Sequence, residues 1–284
     1  MKLSFTKMEG CGNDYIYISG FDYDLPKDEK PALVRKLSDR HFGIGGDGVI
    51  FINPCENADF EMEMYNMDGS YSGMCGNGIR CVAKYVYDKG LTDSKEISVM
   101  SGGQIKYLTL YTKGEGRGEV DTVCVNMGAP VLEPVQIPVE AKASPVVSEP
   151  IEVAGKSYTM TCVSMGNPHA VIFVDNTADY PIGEVGPLFE CHWRFPKRTN
   201  TEFVEVTDRT HVNMRVWERG TGETLACGTG ACATAVACVL NGLTEERITV
   251  RLLGGELLVE WDRKENVVRL TGPARICFEG TVQI

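Results

Sequence analysis

Apolar and polar residues alternate along this chain with two different periods. Phe60-Glu-Met-Glu-Met-Tyr65 alternates strictly, as a half-buried strand does. Asp14–Ile18 and Gly48–Ile52 are short β-rich apolar runs that also read as strands, and Ile97–Val125 reads as hairpin material. The helical period appears three times. Pro31–Arg40 has proline in its first turn and Ala32, Leu33 and Leu37 on one side. A helix opening near Gly76 places Ile79, Val82, Ala83 and Val86 at i, i+3, i+4 and i+7, and Lys89-Gly90 ends it with a cation and a glycine cap. After Gly228, Ala233, Val236, Ala237 and Leu240 share a face, and Asn241-Gly242 stops the run.

The second half repeats the plan of the first. Tyr158–Val163 and Ala170–Val174 read as strands around Gly166-Asn167-Pro168-His169, and Val212–Trp217 as another. Ile248–Leu253, Glu256–Trp261 and Val267–Leu270 read as closing hairpins. Glu133–Pro150, with Pro134, Pro138, Pro145 and Pro150, reads as a connecting segment. One central, mostly apolar helix among many strands in each half predicts a duplicated α+β architecture.

Each central helix is introduced by the same motif. Cys75-Gly76-Asn77-Gly78 opens the first and Cys227-Gly228-Thr229-Gly230 the second. A cysteine just ahead of a helix meets the positive end of the helix dipole and backbone N–H groups with no helical acceptor, and both favour the thiolate. The glycines let a ligand approach the backbone closely. One such motif alone is ordinary packing chemistry. Two, at equivalent places in two similar halves, are what a two-base proton-transfer enzyme needs. One thiolate takes the α-proton of a substrate whose carboxylate sits on the helix N–H groups, and the other thiol returns a proton to the opposite face. Inversion of a stereocentre then requires no cofactor.

Composition narrows the setting. The 284 residues are 43% hydrophobic and 24% charged, with a formal net charge of −11. An acidic surface argues against nucleic acid and anionic membrane as partners. The N-terminus has no apolar run of signal-peptide type, and Ala231–Leu240 is too short to span a bilayer, so a cytoplasmic enzyme is expected. An odd number of cysteines, 11, argues against a disulfide framework. The absence of Cys-x-x-Cys and His-x-x-x-His pairs argues against a structural metal.

Two glycine runs imitate a dinucleotide fingerprint. Gly43-Ile-Gly-Gly-Asp-Gly48 precedes a strand and opens no helix, and no acidic residue follows Gly228-Thr-Gly-Ala-Cys-Ala233 at the required distance. Asn13, Asn66, Asn167, His169 and Asn200 fall in expected loops, where turn chemistry explains any one of them. Glu218-Arg219 beside the second Cys-Gly motif pairs an acid with a base suited to the ammonium and carboxylate of an amino acid.

Taken together, these segments resemble diaminopimelate epimerases along the whole chain. The resemblance is carried by Gly10-Cys-Gly-Asn-Asp14, Tyr65–Ser70, Met74–Cys81, Gly166-Asn-Pro-His169, Arg198–Phe203, Trp217–Thr224 and Ala226–Gly230. Proline racemases are similar in plan, but they usually carry a histidine where Asn77 stands and lack the Glu-Arg-Gly stretch. The resemblance implies two pseudo-symmetric domains, 1–126 plus about 272–284 and 127–271, each a barrel-like, mostly antiparallel sheet around a central helix. The last strand would return to the first domain. It implies interconversion of LL- and meso-diaminopimelate for lysine and peptidoglycan precursors, with Cys75 and Cys227 as the acid/base pair. Gly76, Asn77, Gly228 and Thr229 would bind the reacting carboxylate through the backbone. Asn13, Asn66, Asn167, Asn200, Glu218 and Arg219 would bind the rest of the substrate, and His169 and Glu218 would tune the thiols. No cofactor and no metal are expected, and a homodimer is. Gly48 departs from the family, standing where many members have a substrate-contacting glutamine, and Met74 stands where a glutamine often precedes the first cysteine.

Overall fold

A computed structural model describes residues 2–284. The chain divides into two compact units, Met1–Val125 with Gly272–Ile284, and Asn126–Thr271. The first contains β1 (Lys2–Gly10), β2 (Asn13–Ser19), α1 (Lys30–Ser38), β3 (Gly48–Asn53), β4 (Phe60–Asn66), β5 (Tyr71–Ser72), α2 (Gly76–Asp88), β6 (Glu96–Ser101), β7 (Gln104–Lys113) and β8 (Glu119–Gly128). The second contains β9 (Glu149–Val153), β10 (Lys156–Ser164), β11 (Pro168–Phe173), α3 (Ile182–Glu190), β12 (Asn200–Val206), β13 (His211–Glu218), β14 (Gly222–Thr224), α4 (Gly228–Leu240), β15 (Arg247–Leu252), β16 (Gly255–Asp262) and β17 (Val267–Pro273). The final strand, β18 (Arg275–Gln283), pairs antiparallel with β1 in the first unit.

The strand orders are the same. In the first unit the neighbours run β18-β1-β2-β3-β4-β6-β7-β8, parallel at β2–β3 and β4–β6 and antiparallel elsewhere. In the second they run β9-β10-β11-β12-β13-β15-β16-β17, parallel at β11–β12 and β13–β15. Each parallel pair is spanned by a helix, as a parallel connection requires. The units differ in the strand that opens the order: β9 immediately precedes β10 in sequence, whereas β18 reaches β1 from the far end of the chain.

Helices α2 and α4 occupy the centres. Gly76 to Tyr87 are all buried in α2, and α4 is buried almost throughout from Gly228 to Cys238. A helix without a solvent face has to be wrapped by sheet, and this gives each unit its barrel-like form. Helix α1 packs on the outside of the first unit through Val34 and Leu37, against Ile16, Ile18, Val49 and Phe51.

The proline-rich stretch 133–150 is more than a connection. Ile137, Val139 and Val146 are buried in the core of the second unit with Ile151, Cys162 and Phe189. Buried Arg194 fastens it, donating to Glu140 O at 2.6 Å and Pro150 O at 2.9 Å while pairing with Glu149. Its apolar residues decide its place, and its last proline, Pro150, sits within β9 opposite Thr159 at the edge of the sheet.

Helix α3 was invisible to periodicity. Gly183, Gly186 and Pro187 are poor helix formers, and tertiary packing overrides them. Gly186 lies flat against the indole of Trp217: a Cβ there would come 2.6 Å from Cγ and Cδ2. The indole cannot retreat easily, because its Nε1–H donates to Glu190 Oε2 at 2.7 Å. Gly186→Ala is therefore expected to destabilise the protein by about 1–3 kcal/mol through overpacking, although alanine is the better helix former by about 1 kcal/mol. Urea unfolding checks this, and a midpoint unchanged or raised would refute the contact argument.

Candidate active site

Each central helix begins with a cysteine in extended backbone conformation whose sulfur caps the helix. Cys75 Sγ accepts from Gly78 N–H at 3.3 Å and Cys227 Sγ from Gly230 N–H at 3.3 Å. The third helical residue is glycine in both and lies close over the strand beneath. A Cβ on Gly78 would lie 2.7 Å from Ile50 Cδ1, and one on Gly230 would lie 2.6 Å from Glu202 Oε1. The N–H groups of the first helical residues, Gly76 with Asn77 and Gly228 with Thr229, are those for which a helix supplies no acceptor.

In the first unit Cys75 sits beside the turn joining β1 and β2. Its thiol donates to Asn13 Oδ1 at 3.1 Å, an oxygen that also takes Asn77 Nδ2 at 3.4 Å. Asn13 Nδ2 donates in turn to Asp47 Oδ2 at 2.6 Å, and Arg40 holds the other oxygen of Asp47 at 2.9 Å. A carboxylate only accepts, so Asp47 fixes which end of the Asn13 amide faces the thiol. Asn66 lies opposite Gly48 on β4, and its amide donates to Ser70 Oγ at 3.0 Å within a tight turn. Fully buried Arg80 ties the helix start to its surroundings through Gly76 O at 3.0 Å and Pro273 O at 3.2 Å.

The second unit surrounds Cys227 with charge. Its sulfur lies 3.5 Å from Thr229 Oγ1 and feels the nearby Glu218 carboxylate, which also receives Thr224 Oγ1–H. Behind it, buried His169 has Nδ1 at 2.7 Å from Glu202 Oε1 and Nε2 at 3.0 Å from Asn167 Oδ1. Each ring nitrogen thus faces a side-chain oxygen. Glu202 has no exposure, and its Oε2 has no hydrogen-bond partner among the described residues.

This environment reverses the expectation for a helix N-terminal thiol. Burial, then the charges of Glu218 and Glu202, push the Cys227 thiol well above its ordinary range, against the opposing bonds from Thr229 and Gly230 N–H. The helix terminus contributes at most about 2 kcal/mol toward the thiolate. Desolvation of a fully buried group reaches about 3–5 pKa units, so desolvation wins. Burial also raises the Glu218 carboxyl, with Thr224 and His169 pulling the other way.

Asn200, the first residue of β12, braces the loop that carries Arg219. Asn200 Nδ2 donates to Pro168 O at 2.8 Å, and its Oδ1 accepts from Arg219 N–H at 2.9 Å. The exposed Arg219 guanidinium donates to Lys197 O at 3.0 Å. Buried Glu190 completes the brace, accepting from Gly220 N–H at 2.9 Å and Arg198 at 3.0 Å.

The first unit thus gathers Cys75, Gly76, Asn77 and Asn13 closely, with Asn66 in a separate turn. The second gathers Cys227, Gly228, Thr229, Glu218, His169 and Asn167, with Asn200 at the start of β12 and Arg219 on the loop it braces. Sequence reasoning did not single out Asp47, Thr224, Glu190 or Glu202. Glu202 falls on β12, a strand the periodicity did not reveal, and its burial beside a histidine is a tertiary fact. Among the described residues no three His, Cys, Asp or Glu side chains converge to hold a metal ion, and no helix is long and apolar enough to cross a membrane.

Comparisons with known proteins agree with one another. The sequence pattern of the family described as diaminopimelate epimerase matches residues 5–133 and 161–277. A diaminopimelate epimerase from Agathobacter rectalis is 54% identical over 290 residues, covering 99% of this chain and 100% of its own. One from Leptospira biflexa is 51% identical over 285 residues, covering 100% of both. Among solved structures, a phenazine biosynthesis protein of the PhzF family from Bacillus anthracis superposes with a TM-score of 0.71 at 15% identity, covering 100% of both chains. A hydroxyproline epimerase from Agrobacterium vitis gives a TM-score of 0.69 at 13% identity, over 99% of this chain and 91% of its own. Identities this low speak for a shared fold alone, whereas the full-length sequence matches go further. The chain belongs to the diaminopimelate epimerase family.

Proposed function

We propose that this protein interconverts LL- and meso-diaminopimelate without a cofactor, using Cys75 and Cys227 as the two acid/base groups on one α-carbon. The observation that carries the reading is the repeated sulfur cap: two cysteines, each at the start of a buried helix whose first N–H groups suit a carboxylate. Full-length identity to diaminopimelate epimerases supplies the substrate. The product serves lysine and peptidoglycan precursor synthesis.

The chemistry follows from the α-hydrogen. Its carbon acid is far weaker than a thiol, so the carboxylate that takes up the carbanion's charge needs strong donors. The N–H groups of Gly76 and Asn77, and of Gly228 and Thr229, are the candidates. Whichever cysteine is a thiolate removes the proton, and the one still protonated delivers its own. After one turnover the protonation states are exchanged, and the reverse reaction restores them. Cys227, held protonated in this structure by burial and two carboxylates, starts as the acid. Glu218, with its raised pKa, suits the role of accepting the Cys227 proton when that residue must act as the base. Asn13, Asn66, Asn167, Asn200 and Arg219 are proposed to bind the substrate's remaining polar groups. A homodimer in the cytoplasm completes the proposal, and light scattering on the purified protein checks the dimer.

Incubating LL-diaminopimelate with the protein in D₂O, with no added cofactor, is expected to give α-deuteration together with the meso isomer by NMR. Absence of exchange from folded, reduced protein would redirect the search to proline-type substrates. Cys75→Ala and Cys227→Ala are each expected to lower turnover by at least about 10²–10⁴-fold, the range for a lost general acid or base, while circular dichroism stays unchanged. Full activity in either would end the two-base reading. Neutralising Glu218 has a predictable sign. In Glu218→Gln the Cys227 thiol loses a neighbouring negative charge and ionises at lower pH, so iodoacetamide should alkylate Cys227 faster at neutral pH. Slower alkylation would show instead that Glu218 works chiefly as the proton acceptor.

A further inference from the structure

The shared strand order lets the two half-sites be compared residue by residue through strand register. The first rung of the parallel pair β2–β3 joins Tyr15 to Gly48, and the first rung of β11–β12 joins His169 to Asn200. Two residues further along the second strand of each pair, Ile50 and Glu202 lie under the third residue of the central helix, at Gly78 and Gly230 respectively. Asn66 lies opposite Gly48 or one rung from it, as Glu218 does for Asn200. Tyr15 therefore stands where His169 stands.

The residues in these matching places differ in charge. Around Cys227 they are His169, Glu202 and Glu218, whereas around Cys75 they are Tyr15, Ile50 and Asn66. Tyr15 is buried two residues along β2 from Asn13, whose Oδ1 takes the Cys75 thiol at 3.1 Å, and the Asn13 and Cys75 side chains both act on the Tyr15 hydroxyl. Its ring fills space that a side chain at position 48 would need. A Cβ on Gly48 would lie 3.0 Å from Tyr15 Cε1 and 2.0 Å from Tyr65 O. Burial and the nearby Cys75 push the phenol's pKa up, so the group stays protonated and is a donor.

We propose that Tyr15 is a positioning residue for Cys75, its O–H donating to the thiolate and holding it in the orientation for proton abstraction. This rests on the two-base reading of Cys75. The pocket then serves both protonation states of the sulfur. Asn13 Oδ1 accepts from the thiol, and Tyr15 O–H with Gly78 N–H donates to the thiolate. A reversible acid/base group needs both. Tyr17 from β2 and Cys81 from α2 also interact with this sulfur, and Asp47 acts on the Tyr15 hydroxyl from the loop ahead of β3.

Tyr15→Phe keeps the ring and removes only the donor. Iodoacetamide alkylation of Cys75, followed by peptide mass spectrometry from neutral to alkaline pH, is expected to slow about tenfold at neutral pH, as the loss of a hydrogen bond to a charged group predicts. Alkylation of Cys227 in the same sample is expected to stay at the wild-type rate, which also reports an intact fold. Turnover is expected to fall by a similar factor with KM nearly unchanged. Cys75 alkylation at or above the wild-type rate, or an equal slowing at Cys227, would overturn the proposal. Alkylation uses no diaminopimelate, so a wild-type protein inactive on that substrate would sink the functional reading while leaving the test of Tyr15 intact.

Discussion

The structure depends on a sulfur atom capping a buried helix, made twice. Oxygen-bearing side chains usually cap helices, because the cap must accept from a backbone N–H at the third helical position. Cys75 and Cys227 meet that geometry with a softer acceptor, one that becomes much stronger when it loses its proton. The cap therefore couples architecture to chemistry. The backbone that fixes each sulfur in place also stabilises its anionic form. Glycine at the third position goes with close packing of α2 and α4 on the strand beneath, where Ile50 and Glu202 reach up to it.

Duplication supplies two such caps, and divergence makes them unequal. In the second unit two glutamates, one of them paired with a buried histidine, lie near the sulfur, and burial with their charges pushes its thiol well above the ordinary range. In the first unit the same registers hold a phenol, an isoleucine and an asparagine, and the nearest carboxylate, Asp47, reaches the thiol only through the Asn13 amide. The charged groups that bias the second sulfur toward its protonated form have no counterparts at the matching registers of the first. A two-base enzyme needs one thiol and one thiolate before substrate arrives, and two identical half-sites would not provide that without help from the substrate.

Much of this was legible in the sequence, for physical reasons that differ by element. The central helices announced themselves because their apolar period, their caps and the Cys-Gly-x-Gly openings all agree. Strands with strict alternation, such as Phe60–Asn66, were equally plain. Helix α3 was hidden because its glycines are chosen for contact with Trp217 rather than for helix formation. The stretch 133–150 misled because prolines mark turns wherever they occur, while its burial depends on Arg194, far along the chain. Strand β12 was missed, and with it the role of Glu202, whose place under Gly230 exists only once β11 and β12 are paired.

Position 48 shows how a departure from a family pattern is read. In the sequence, glycine in place of glutamine looked like a missing substrate contact. In the structure the position has no room for a side chain, because the carbonyl of Tyr65 and the ring of Tyr15 close it from two sides. Gly48 and Tyr15 are thus one feature: the glycine clears the space, and the tyrosine brings a hydroxyl into it beside Cys75 and Asn13. The space that a longer side chain on β3 would need is taken by a phenol from β2, so what faces the first half-site at this point is set by residue 15 rather than by residue 48.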